Sequence, residues 1–109
     1  MIDAIVEQYE KHGWKLRRIL VIAASADDLK SRYPEASLVE SDVDALWFSR
    51  PNRDAETWEL RRLSGSPFAL LEVFTSDVID EDRENRLRNI ERRMAESFTK
   101  ADREIPLEK

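Results

Sequence analysis

The chain has 109 residues, 38% of them charged and 41% hydrophobic, with three Trp, four Phe and a formal net charge of −5. That length fits one α+β domain with its own core, and the apolar and aromatic content is too high for intrinsic disorder. The acidic balance repels phosphate backbones, so nucleic acid is not an expected partner.

Cysteine is absent, which removes thiolate metal sites, thiol catalysis and disulfide scaffolds, and fits a reducing cytoplasm. The longest apolar run, Ile19 to Ala24, is strand-sized and far below the roughly 18 residues a membrane span needs. Met1 is followed by Ile2, Asp3, Ala4, Ile5, Val6 and Glu7, with no basic stretch of the kind that opens a secretory signal. The expectation is a cytoplasmic protein with neither export signal nor membrane contact.

Ile2, Ile5, Val6 and Tyr9 share one helical face, and Gly13 is placed to end that helix as a left-handed cap, which predicts a helix over Ile2 to His12. From Trp14 the period becomes two, with Trp14, Leu16, Leu20 and Ile22 on one face of a strand and Ile19 and Val21 on the other. Ser25 before Asp28 resembles a capping box, and Pro34 forbids continuation, so a short helix spans Ser25 to Tyr33. In the acidic stretch that follows, Leu38 and Val39 either begin a short fifth strand or plug a loop against the core. A strand resumes at Ala45 and ends at Pro51, with Leu46 and Phe48 opposite Ala45 and Trp47. Thr57 to Leu63 and Phe68 to Thr75 form a hairpin about Ser64, Gly65, Ser66 and Pro67. A final helix is predicted from about Asp80 to near Arg103, striped by Leu87, Ile90, Met94, Phe98 and Ala101, with Pro106 at its frayed end.

The order of elements predicts a mainly antiparallel four-stranded sheet, with the short strand near Leu38 as its fifth member if formed. Helices are expected to cover Trp14, Leu16, Leu20, Ile22, Leu46, Phe48, Trp58, Leu60, Phe68, Leu70 and Phe74. The opposite face, with Ile19, Val21, Trp47, Leu63, Leu71 and Val73, is also apolar, whereas a sheet facing water alternates with polar residues. It needs a cover of its own.

Chemistry-bearing residues are sparse. His12 is the single histidine and sits at a helix C-terminus, where its charge serves the helix dipole rather than catalysis. Asp42 and Asp44 place two carboxylates on one side of an extended segment, but lack the glycine turn and terminal glutamate of a calcium loop, so no metal is expected. The two glycines, Gly13 and Gly65, lie in unrelated turns, which excludes a glycine-rich phosphate loop, and no cofactor is expected. Arg83, Arg86, Arg88, Arg92 and Arg93 scatter around the last helix among acids, a mixed solvated face. Arg86, Arg93 and Lys100 nevertheless repeat every seven residues on one flank of the apolar stripe, and Glu84 and Glu91 on the other, as in a paired coiled coil.

The first functional expectation is therefore a homodimeric protein-interaction module without a catalytic site. Its interface would use Ile19, Val21, Trp47, Leu71 and Val73 of the second sheet face, with Trp47 as anchor, or Leu87, Ile90 and Met94 of the last helix. The alternative is a small-ligand pocket or enzyme between sheet and helices, built around Trp47, Trp58 and Arg62. Arg62, Arg18 and Glu72 fall among core-facing strand positions, where charges must be paired or serve as ligand anchors.

Overall fold

The structure is a computed structural model that describes residues 2–21, 27–41, 43–63 and 68–107, with side chains described for 2–21, 29–41, 43–63 and 68–96. The Ser25 cap, Ile22, Asp42 and the turn at 64–67 lie outside the described residues, as do the side chains of Phe98, Lys100 and Ala101.

Helix α1 (Ile2–Lys11) ends as its sequence dictates. Gly13 adopts φ 87°, Trp14 N–H donates to Tyr9 O and Gly13 N–H to Glu10 O, the paired bonds of a Schellman cap. The apolar contact that accompanies such caps is made by Tyr9 and Trp14, whose rings meet edge-on with centroids 6.0 Å apart.

The strands are β1 (Lys15–Val21), β2 (Ser37–Glu40), β3 (Ala45–Pro51), β4 (Ala55–Arg62) and β5 (Ala69–Thr75), in the spatial order β2-β1-β3-β4-β5. The sheet is mixed and mostly antiparallel: β1, β3, β4 and β5 alternate in direction, and β2 alone runs parallel to β1. A parallel neighbour needs a crossover, and helix α2 (Asp27–Arg32) lies on that path. The short strand near Leu38 is thus formed, at an edge.

Two apolar layers flank this sheet. On one side Val6, Leu16, Ile19, Ala36, Leu46 and Phe48 are buried, with Ile5, Tyr9, Leu29 and Tyr33 from the α1 and α2 regions packed on them. On the other side Leu20, Ala45, Trp47, Trp58, Leu60 and Phe74 are buried under Leu87, Ile90 and Met94 of helix α3 (Asp80–Leu107). The Leu87, Ile90 and Met94 part of the expected stripe faces the sheet. The helix itself continues past Arg103, with Pro106 its penultimate residue, where a missing N–H interrupts little.

The expected division of side chains between faces needs two corrections. The register of β1 against β3 shifts between Leu16 and Arg18, so Arg17 is the extra residue of a β-bulge. Beyond the bulge the alternation is inverted, and Leu20 faces α3 while Leu16 and Ile19 face α1. The second correction concerns β3. Trp47 pairs with Leu60 and Ser49 with Trp58, so Trp47 lies on the α3 face, and Leu46 and Phe48 lie on the α1 face. Period-two patterning fixes which residues of an unbulged strand share a face, but the register between strands decides which faces join.

Candidate functional site

Most residues expected to form an interface are closed off inside the chain. Trp47, Leu87 and Met94 have no exposed surface, and Ile19 and Ile90 retain only 1% and 3%. Val21 is half-buried in the α1 layer. An interface through these residues, with Trp47 as anchor, is therefore corrected: α3 and α1 occupy the places a partner would take. Leu71 and Val73 are different, at 60% and 53% exposed.

The charges that flank the α3 stripe explain why that helix lies on its own sheet. Arg18 donates to Glu84, Trp47 Nε1–H donates to Glu91 Oε2 at 2.8 Å, and Arg86 Nε–H donates to Glu72 Oε2 at 2.7 Å. The heptad-spaced Glu84, Glu91 and Arg86 thus clamp α3 to the sheet, in place of a second helix. Arg18 and Glu72, the strand charges at core-facing positions, are the sheet's half of those clamps. Arg18 holds the Glu84 carboxyl below the usual carboxylate range through its hydrogen bond, against the opposing effect of burial.

The pocket expected around Trp47, Trp58 and Arg62 is likewise corrected. Trp58 is 1% exposed, and its indole ring meets those of Trp47 and Phe74 edge-on at 5.9 and 6.3 Å. The bulge turns both arginines of β1 toward the same ring, with the Arg17 and Arg18 guanidinium carbons 4.7 and 5.7 Å from its centre. Trp58 Nε1–H donates to Glu56 Oε1 at 2.8 Å, and Arg17 reaches Ser49 Oγ at 2.9 Å. The Arg62 guanidinium stacks over Phe68, 5.4 Å from its centroid. The ring faces and the indole N–H groups of Trp47 and Trp58 are satisfied internally, which makes this a structural cluster.

His12 is exposed at the end of α1, its Nδ1 3.3 Å from Gln8 O and its carbonyl accepting from Arg50 Nη1 at 3.1 Å. A hollow of about 270 Å3 lies beside it, lined by Gln8, Tyr9, His12, Trp14, Arg50 and Glu59. It is small beside the roughly 300–1,000 Å3 of ligand pockets. Arg50 lies across it over the Trp14 ring, at 4.6 Å. Among the described residues no group of three or more His, Asp or Glu is placed to hold a metal.

What remains is the β4–β5 half of the α1 face. Tyr9 stacks on Phe48 at 4.0 Å and 10°, and its hydroxyl donates to Glu59. Burial, and then that carboxylate, push the Tyr9 phenol up to about 12. Here the cover given by α1 stops. Beyond it, Val73, Leu71 and Ala69 of β5, paired with Thr57, Glu59 and Arg61 of β4, have no helix above them among the described residues. The polar alternation of Thr57, Glu59 and Arg61 was the sequence signal for this opening, since a strand covered on both faces would be apolar throughout.

The chain matches no family model, no curated protein and no solved structure. No helix is long and apolar enough to cross a membrane among the described residues.

Proposed function

We propose that this protein is a small cytoplasmic protein-interaction module that works as a homodimer through the open β4–β5 half of its α1 face. The observation that carries the reading is the pair Leu71 and Val73, large apolar side chains left 60% and 53% exposed on a strand at the sheet edge. Apolar surface of that kind, bordered by Glu59 and Arg61, has the character of a contact site, an apolar centre with a charged rim. The cysteine-free composition accords with the assignment to a reducing compartment.

The test is the mass in solution at tens of micromolar, by light scattering or sedimentation. Twice the chain mass is expected for the wild type and the single-chain mass for Leu71→Asp. Since Leu71 is exposed in the isolated chain, the variant should keep the wild-type melting profile when both are compared as monomers. A monomeric wild type would overturn the homodimer.

A further inference from the structure

Resting on that reading, we propose that the second copy docks edge to edge along β5, antiparallel, in the one register that sets Ala69 opposite Leu71 and Leu70 opposite itself across the two-fold axis. Arg62 N–H bonds to Phe68 O and Ser76 N–H to Asp54 O, so even-numbered positions of this segment face β4. Ala69, Leu71, Val73 and Thr75 therefore point their N–H and C=O groups out of the sheet.

These four are not equally available. Arg86 Nη2–H donates to Val73 O at 3.1 Å, and Val78 N–H donates to Thr75 O at 3.2 Å. Among the described residues no turn or side chain reaches the outward groups of Ala69 and Leu71. The far end of the free edge is thus capped and the near end is open. The strand carries no Pro, no Lys and no break in its register with β4, and its one charge, Glu72, is held by Arg86 at the capped end. The other edge, β2, is only four residues long.

Symmetry then selects the register. With the axis at Leu70, Ala69 and Leu71 of each copy exchange all their N–H and C=O groups with Leu71 and Ala69 of the other. Val73 O is not needed. Leu70 meets its own copy in a narrow pair, and the small Ala69 receives Leu71 on the open face. An axis at Leu71 would require Val73 O, already held by a guanidinium, and would set Leu70 against Glu72. An axis at Glu72 would oppose two carboxylates directly, which is unfavourable. Shifts in the other direction run off the start of β5.

The absence of native cysteine allows a direct test by single-cysteine oxidation. In narrow antiparallel pairs the Cα atoms are about 4.5 Å apart, within the span of a disulfide. Leu70→Cys is expected to give a covalent dimer readily and Glu72→Cys to give little. Preferential cross-linking of Glu72→Cys would overturn the register. A wild type that is dimeric while neither variant cross-links would overturn edge pairing and leave the open-face homodimer standing; a monomeric wild type would overturn both. Amide exchange of the wild type requires no substitution. The Ala69 and Leu71 amides are expected to slow at least tenfold from low to high protein concentration while the Thr75 amide does not, and equal behaviour of all three would overturn the proposal.

Discussion

Single residues here are fixed by what surrounds their polar atoms. Trp47 lies wholly inside the α3 layer with its indole N–H on Glu91, so Trp47→Ala removes packing and leaves a carboxylate without its donor. The substitution is expected to destabilise the monomer by about 3–5 kcal/mol in urea unfolding, with no separate effect on association. A fully stable variant with weakened association would return Trp47 to the interface. Tyr9 is governed by burial and by Glu59, which raise its phenol from 10.0 to about 12. A neutral phenol favoured by the folded state contributes stability in full below pH 10, and the contribution is lost as pH rises toward 12. An ultraviolet titration should show a late tyrosinate step that vanishes in Tyr9→Phe. Ionisation of both tyrosines near their ordinary value would refute the placement of Tyr9.

At the scale of elements, caps and bulges set direction. The chain reverses from α1 into β1 through Gly13 at φ 87°, and an added Cβ there would meet only the Arg50 side chain, Cδ at an ordinary 3.5 Å and Cγ at 3.9 Å. The cost of Gly13→Ala is therefore conformational, and about 1–2 kcal/mol is expected from thermal or urea unfolding. Gly13→Asn should cost less, because Asn tolerates the left-handed region. Equal stability of wild type and Gly13→Ala would show that the cap does not hold the αβ corner. The bulge at Arg17 has the larger architectural effect: it brings two guanidinium groups to one indole and frees Arg18 to clamp Glu84 of α3.

The whole molecule is a sheet with unequal covers. Helix α3 closes one face over β1, β3, β4 and β5, while α1 and the α2 region close only the β1–β3 side of the other. The bare half is where association is expected to act, and Leu71→Asp is the variant that separates folding from it. Dimerisation should persist in high salt, because its centre is apolar and hydrogen-bonded and the charges of Glu59 and Arg61 lie on the rim. Dissociation by salt alone, followed by sedimentation, would point instead to an electrostatic contact.

The elements were legible in the sequence because helix period, strand period and the Gly13, Pro34 and Pro51 punctuation are local properties of the chain. The second apolar face and its incomplete cover were legible too, through Leu71 and Val73. The placement of Trp47 was not, since an alternating strand is read equally well from either side until its register with β4 is known. Nor could spacing reveal that Glu84, Glu91 and Arg86 answer Arg18, Trp47 and Glu72 rather than a second helix: that choice lies with partners on other elements, 14 to 66 positions away. Outside the β1 bulge, sequence determined which residues share a side of each element; only tertiary structure, by pairing the strands and laying α3 across them, decided which side is core and which is left open.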